Sequence, residues 1–157
     1  MNILIIGGTR FVGLHIGEEL LAQGHTITLL NRGVTPDPFP EEIQRLRADR
    51  NDHKEVRTTL EGREFDAIVD CIGYKHAEIE LIIELFSSRI SRYVFISSTS
   101  VYRPSELLPI EETHPLNEDT NWDDEYAKIK HLSLEEFSKV CDVGLSLYWR
   151  AEKAHLN

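Results

Sequence analysis

Short apolar segments rich in β-branched residues alternate with longer amphipathic segments along this chain. The short segments, such as "NILII" and "TITLL", predict strands that are buried on both faces. These strands cover residues 2–6, 26–30, 44–48, 66–71, 92–97 and 144–149. The longer segments predict helices over residues 11–23, 51–61, 75–87 and 124–139. On the first helix we expect a stripe that faces the sheet, formed by Val12, Ile16, Leu20 and Leu21.

The alternation of strands and helices predicts an α/β fold with a parallel sheet that is covered on both sides. Right-handed crossovers then give a doubly wound sheet, the Rossmann fold, with about six strands in the order 3-2-1-4-5-6. At 157 residues, we expect one domain over residues 1–157. Residues 100–123 are rich in Pro, Glu and Thr, and a loop of this length in a compact domain is usually functional.

The segment "GGTRFVG", residues 7–13, joins the first predicted strand to the first helix. In a doubly wound sheet this turn borders the ligand crevice. Gly7 permits a tight turn and a close approach by a pyrophosphate, and Gly13 lets the helix lie close to the sheet. The free N–H groups at the helix start favour an anion. The turn therefore predicts a dinucleotide site, with an ordinary strand-to-helix turn as the alternative.

The second strand ends in "LLNRG", where a site for NAD usually has an acidic residue that accepts hydrogen bonds from the ribose hydroxyls. Here the position holds Asn31, followed by Arg32. A guanidinium in place of a carboxylate suits a 2′-phosphate, and Arg10 can extend toward the same group. We therefore predict NADP as the preferred cofactor, with NAD as the second choice. The alternative for both arginines is solvated surface charge.

Composition excludes several other classes. A net charge of −10 and the lack of a basic cluster argue against a nucleic-acid partner. No apolar stretch reaches membrane-spanning length, so we expect no membrane partner and a cytoplasmic location. Cys71 and Cys141 fall in or beside apolar segments and are expected to be reduced, buried thiols. The histidines show no metal-ligand spacing with cysteine, so no metal site is predicted.

A second group of residues suggests chemistry at the same crevice. Tyr126 and Lys130 lie four residues apart on a predicted helix, so both side chains leave the same face. Ser98 follows the fifth predicted strand, where it can meet Tyr126 over the crevice. Tyrosine and lysine occur at this spacing by chance in many chains. The position of Ser98 is therefore the observation that favours a catalytic role for the pair.

The glycine turn, Ser98 and the pair Tyr126 and Lys130 together resemble the extended short-chain dehydrogenase/reductase superfamily, in its NAD(P)-dependent epimerase/dehydratase group. The segments "DCIGY", "SSTSVY", "PIEETHPLNED" and "YAKIKHLSLEE" are similar to that group as well. The turn "GGTRFVG" with "NRG" resembles an atypical branch that includes isoflavone-reductase-like enzymes and chloroplast RNA-binding relatives. The resemblance covers residues 1 to about 150.

The resemblance implies that Tyr126 exchanges a proton with a substrate hydroxyl or carbonyl while hydride passes to or from the nicotinamide. Lys130 would lower the pKa of the phenol and hold the nicotinamide ribose, and Ser98 would hydrogen-bond the reacting oxygen. Asp49 matches a position that contacts the adenine amino group, although a role as a turn or cap residue explains it equally well. The expected cofactor-binding residues are Gly7, Thr9, Arg10, Phe11, Val12, Gly13, Asn31, Arg32, Asp49, Ile72, Gly73, Tyr126 and Lys130.

The chain also departs from the resemblance. Thr99 and Ser100 stand where the sugar 4,6-dehydratases of the superfamily have an Asp-Glu pair, which leaves epimerisation or carbonyl reduction. Arg150 is followed by Ala151 where relatives have proline, and we expect a C-terminally truncated protein that lacks the substrate domain.

Two interpretations follow. One is an NAD(P)-dependent oxidoreductase or epimerase, whose substrate is an unidentified sugar nucleotide or other carbonyl or hydroxyl compound. The other is a catalytically silent NAD(P)-binding module, either a cofactor sensor or a truncated remnant. Because relatives often pair through the helices that correspond to residues 75–87 and 124–139, we also expect a homodimer.

Overall fold

A computed structural model describes residues 1–96, 103, 109, 111 and 113–115 of the chain. The helix predicted over residues 124–139 and the strand predicted over 144–149 lie outside the described residues. Ser98, Tyr126 and Lys130 also lie outside them.

Five strands and three helices occupy the positions that the hydrophobic pattern predicts. They are β1 (Asn2–Ile6), α1 (Phe11–Ala22), β2 (Thr26–Asn31), β3 (Gln44–Arg47), α2 (His53–Leu60), β4 (Ala67–Asp70), α3 (His76–Phe86) and β5 (Arg92–Phe95). The bounds differ from the predicted ones only at element ends. For example, α2 begins later than predicted because the Asp52 carboxylate caps it, accepting from the backbone N–H groups of Lys54 at 3.1 Å and Glu55 at 3.0 Å.

The five strands form one parallel sheet in the order β3-β2-β1-β4-β5. This confirms the predicted doubly wound α/β fold and the order of its first five strands. Ile6, the last residue of β1, pairs with Leu30 of β2 on one side and with Asp70 of β4 on the other. The carboxyl ends of these three strands are therefore level, and the strand order reverses beside β1. Sheets of this kind bind ligands at that point.

Two hydrophobic clusters cover the two faces of the sheet. Side chains from α2 and α3, including Val56, Leu60 and Phe86, pack on one face. The other face is covered by α1 and by Phe39 from the connection between β2 and β3. The strands are thus buried on both sides, as their nearly continuous apolar sequences require.

The prediction of an apolar stripe on α1 is wrong for one residue. Val12 is 53% exposed, whereas the buried residues of this helix are Gly13 and Gly17. A Cβ atom at Gly17 would lie 2.6 Å from the ring of Phe39. The helix backbone itself therefore approaches the layer beneath it, and the apolar side chains of α1 flank that line as partly buried residues.

Candidate functional site

A crevice of about 530 Å³ lies at the carboxyl ends of the strands and is lined by the loops that follow β1, β2, β3 and β4. Most of the predicted cofactor-binding residues line it. They are Gly7, Thr9, Arg10, Phe11, Val12, Gly13, Asn31, Arg32, Asp49 and Ile72. Gly73 is buried, and an added Cβ there would meet Phe95 at 2.9 Å and Ile79 at 3.1 Å. Its contact with a cofactor stays a prediction.

The glycines of the first turn are required by backbone geometry. Gly7 has a φ of +88°, and a Cβ there would lie 2.6 Å from Cγ2 of Ile72. A Cβ on Gly13 would lie 3.0 Å from the carbonyl oxygen of Gly7 and 3.1 Å from Cα of Gly8. The turn therefore folds back on itself with no room for a side chain at Gly7 or Gly13, and Gly7 also lets the loop that carries Ile72 pack closely against it.

The start of α1 is open to a ligand. Arg10 occupies the N-cap position but makes no side-chain cap, and the first turn contains no acidic residue. The starts of the other helices differ, because Asp52 caps α2 and Glu78 accepts backbone hydrogen bonds at the start of α3. Phe11 has a φ of +48° and is 82% exposed, so a strained backbone turns its ring outward at the mouth of the crevice. A helix start of this kind favours an anion.

More cationic than anionic side chains line the crevice, although the chain as a whole is acidic, with a net charge of −10. Arg10, Arg32 and Lys75 are exposed and line it. Within the described part of the chain, the guanidinium groups of Arg10 and Arg32 make no hydrogen bond or ion pair. Unpaired cations in a concave site attract a polyanionic ligand.

Two donors hold the side-chain amide of Asn31 at the end of β2. Its Oδ1 accepts from the backbone N–H of Gly33 at 2.8 Å and from Nη1 of Arg47. Because both partners are donors, the orientation of the amide is determined. Its Nδ2 is buried and has no hydrogen-bond partner among the described residues. This position therefore carries a neutral amide, where a carboxylate would add a negative charge.

Asp49 holds the turn that follows β3. Its Oδ1 accepts from the backbone N–H of Asn51 at 2.9 Å and from the side-chain amide of the same residue at 3.1 Å. These hydrogen bonds, with the charge of Arg32 nearby, hold the pKa of Asp49 below its usual value. The turn role is thus observed, while the adenine contact stays a prediction.

Cys71 lies beside the turn and is half-buried, with a free thiol. Burial, with the nearby charge of Asp70, raises the pKa of this thiol to about 12. The side chain is therefore a neutral thiol at physiological pH and contributes an apolar wall. Cys141 lies outside the described residues.

A buried polar cluster beneath the crevice was missed by the sequence reasoning. Arg50, Asp70 and Glu78 are respectively 7%, 0% and 3% exposed, and Tyr93 joins them. The available signal was Asp70, which ends a strand whose other residues are apolar on both faces. A carboxylate in such a position must have a cationic or hydrogen-bonding partner.

Comparison with known proteins identifies the family of this chain. Residues 3–139 match the NAD dependent epimerase/dehydratase family. The chain belongs to that family. The glycine turn and the uncapped helix start agree with the dinucleotide that the family name implies, because both features suit a bound diphosphate.

Two curated relatives and one solved structure illustrate the similarity. The chloroplast stem-loop binding protein of 41 kDa b from Arabidopsis thaliana is 35% identical over 121 residues, covering 69% of this chain and 32% of that protein. UDP-glucose 4-epimerase from Drosophila melanogaster is 23% identical over 172 residues, covering 89% and 48%. The UDP-glucose 4-epimerase of Bifidobacterium longum, solved with NAD+ and UDP, has a TM-score of 0.69 at 18% identity, covering 89% and 49%. The chain thus spans between a third and a half of these relatives.

The family match confirms the predicted membership of the epimerase/dehydratase group. The structural likeness supports the fold. Among the described residues, no helix is long and apolar enough to cross a bilayer.

Proposed function

We propose that this chain is the cofactor-binding part of an NAD(P)-dependent epimerase or oxidoreductase and that it prefers NADP. The observation that carries the proposal is the crevice itself, where an uncapped helix start and exposed arginines flank the glycine turn. When bound, the nicotinamide would accept or donate the hydride of the reaction. The residues of the crevice would bind the diphosphate and orient the two nucleotide halves.

The preference for NADP rests on the end of β2. Asn31 has its oxygen committed to Arg47 and Gly33, and its neutral amide places no negative charge at the strand end. A phosphate is therefore not repelled there, and the exposed guanidinium of Arg32 can provide two parallel hydrogen bonds to it. Arg10, exposed at the start of α1, adds positive charge.

The proposed chemistry uses Ser98, Tyr126 and Lys130. Support comes from β5, which pairs with β4 and leads to Ile96, a residue that lines the crevice two positions before Ser98. The Tyr126 phenol would exchange a proton with the substrate oxygen, and the Lys130 ammonium would favour the phenolate. Ser98 would donate a hydrogen bond to the reacting oxygen.

The proposed substrate is a sugar nucleotide or another carbonyl or hydroxyl compound, because UDP-sugar epimerases recur among the relatives. One relative is named for stem-loop binding. We nevertheless propose no nucleic-acid partner for this chain, since its net charge of −10 opposes contact with phosphate backbones.

Calorimetric titration with NADPH and NADH tests the cofactor assignment. We expect the unmodified chain to bind NADPH more tightly, and Arg32→Ala to remove most of that difference while changing NADH affinity little. Arg92→Ala is the matched control, because Arg92 is an exposed arginine at the amino end of β5, away from the crevice. NADPH affinity that is equal in both variants would show that the 2′-phosphate assignment is wrong.

A second experiment separates the enzyme from the silent module. We expect the unmodified chain to reduce at least one member of a panel of carbonyl compounds with NADPH. Tyr126→Phe should keep cofactor binding and lose that reduction. Cofactor binding without reduction by the unmodified chain would favour the module.

We also propose that the chain forms a homodimer through α3 and the segment 124–139. The outward residues of α3 include Ala77, Glu80 and Glu84, which lie on one helical face. Sedimentation at micromolar concentration tests this assembly, and a monomer there would contradict it.

A further inference from the structure

The buried polar cluster beneath the crevice is centred on Arg50, in the turn between β3 and α2. Its Nη2 donates to Oδ2 of Asp70, the last residue of β4. Its Nε lies 3.8 Å from Oε2 of Glu78, in the first turn of α3. The Tyr93 hydroxyl, from β5, donates to Oδ2 of Asp70 at 2.8 Å. A single guanidinium thus reaches two carboxylates that follow a different strand from its own.

The two carboxylates hold the loop after β4 by its backbone. Oδ1 of Asp70 accepts from the backbone N–H of Ile72 at 3.1 Å. Oε2 of Glu78 accepts from the backbone N–H groups of Tyr74 at 3.0 Å and Lys75 at 3.2 Å. All three donors belong to residues that line the crevice, so the two carboxylates determine where this wall of the crevice lies.

Arg50 connects this wall to a second one, the turn after β3. Its neighbours Asp49 and Asn51 line the crevice in that turn. Another contact joins the same two walls, because Nζ of Lys75 donates to Oδ1 of Asn51 at 3.1 Å. That hydrogen bond is exposed and competes with water, so the buried guanidinium provides the stronger of the two connections.

Stability alone does not explain a cluster of this kind. Charged groups lose hydration when they are buried, and apolar side chains of similar volume often stabilise a fold equally well. Apolar side chains lack direction, however, whereas hydrogen bonds fix the N–H groups of Ile72, Tyr74 and Lys75 at defined positions. Burial, with the charge of Asp70, raises the pKa of Tyr93 well above its usual value, so its hydroxyl remains a donor.

We propose that Arg50 is a positioning residue, which sets the separation of the two crevice walls and thereby the affinity for the whole dinucleotide. It acts through the walls rather than by its own contact with the ligand. The inference rests on the proposed function, since it takes the ligand to be NADPH or NADH. These cofactors differ only in the 2′-phosphate, whose proposed partners Asn31 and Arg32 belong to neither wall. Loss of the cluster should therefore weaken both cofactors by the same factor.

Arg50→Lys tests the proposal, because lysine keeps the positive charge but offers one nitrogen where arginine reaches both carboxylates. We expect NADPH and NADH each to bind this variant about tenfold more weakly than the unmodified chain, in calorimetric titration below the unfolding midpoint. The ratio of the two affinities should stay unchanged. Tyr93→Phe is a milder second variant that removes only the hydroxyl on Asp70, and it should weaken both cofactors about threefold.

Amide hydrogen exchange measures the position of the wall directly. In Arg50→Lys, the backbone N–H groups of Ile72, Tyr74 and Lys75 should exchange faster than in the unmodified chain, because their acceptors are held less firmly. Bound cofactor should slow the exchange of the same three groups in the unmodified chain. A residue that contributed only to overall stability would leave the cofactor affinity of the folded protein unchanged.

Arg45→Lys is the matched control for loss of stability. Arg45 pairs with Asp37 at 2.7 Å, outside the crevice lining, so this variant breaks a partly buried arginine–carboxylate pair that touches neither wall. It should leave both affinities and the exchange of the three N–H groups unchanged. The proposal is overturned if Arg50→Lys or Tyr93→Phe, when folded, binds both cofactors as tightly as the unmodified chain does. It is also overturned if these variants change the affinity ratio, or if the control weakens the cofactors equally. Failure of the unmodified chain to bind either cofactor would instead overturn the proposed function.

Discussion

Replacing Asn31 by aspartate tests the cofactor preference with a change of very few atoms. The Oδ1 contacts with Gly33 N–H and Arg47 can both remain, because a carboxylate oxygen accepts as an amide oxygen does. The buried Nδ2, which has no partner, becomes a second oxygen. The variant therefore converts a donor into an acceptor and adds one negative charge at the end of β2.

The expected size of the effect follows from two contributions. A carboxylate about 4 Å from a phosphate charge is repelled by about 1 kcal/mol in water and by about 4 kcal/mol at a protein surface. Arg47 already contacts Asn31 and offsets part of that repulsion, so about 1–3 kcal/mol of NADPH affinity should be lost. NADH has no phosphate at that position and should change little, because the new oxygen replaces a buried atom. The affinity ratio should then change by about 1–3 kcal/mol, or roughly fivefold to a hundredfold.

Titration of both cofactors at one ionic strength measures this ratio. Gln44→Glu is the matched control, since it adds the same charge at the amino end of β3 and keeps an acceptor for the Thr28 hydroxyl. We expect the control to leave the ratio unchanged. If Asn31→Asp also leaves it unchanged while both cofactors still bind, the bound 2′ group does not lie at Asn31 and the reasoning is refuted.

Two further predictions concern stability. Gly7→Ala and Gly24→Ala should both lower the free energy of unfolding, as measured by urea denaturation. The loss at Gly7 should be larger than the loss at Gly24 by at least about 1 kcal/mol. Both glycines have φ near +80°, but an added Cβ at Gly7 meets Ile72 and one at Gly24 meets nothing within 4 Å. Equal losses of unfolding free energy in the two variants would show that crowding by Ile72 does not matter. Asp37→Asn should destabilise the protein at pH 7 and have little effect well below pH 3.8. The hydrogen bond from Arg45 lowers the pKa of Asp37 below 3.8 in the folded protein. The ionised carboxylate therefore stabilises the fold above pH 3.8, and this stabilisation is lost as pH falls through the folded pKa. A destabilisation by Asp37→Asn that does not depend on pH would contradict this explanation.

The sequence predicted the strands well because their signal is local. The run "NILII" is apolar throughout and its strand, Asn2–Ile6, has the predicted bounds. The stripe on α1 was less predictable. Gly17 faces inward because Phe39, which belongs to a distant loop, fits against it, and Gly13 lies against the Cys71 thiol and the turn at Gly7. Periodicity within a helix does not reveal a partner of that kind.

The candidate site, like the fold, was predictable only in part from the sequence. The positions of Asn31 and Arg32 at a strand end could be deduced from order along the chain. The direction in which Asn31 points could not, because it depends on Arg47 in the neighbouring strand. The pairing of Arg50 with Asp70 was missed for a related reason, since the two residues belong to different segments and only the fold brings them together.

The walls of the crevice differ in charge. This difference affects where the phosphates of a dinucleotide would bind. Arg10 and Arg32 are exposed and unpaired within the described part of the chain, so they favour the phosphates. Arg50, in contrast, is buried between Asp70 and Glu78, which neutralise its charge. The wall that carries Arg10 and Arg32 is thus better suited to phosphates than the wall around Arg50, because an exposed guanidinium attracts an anion and a neutralised one does not.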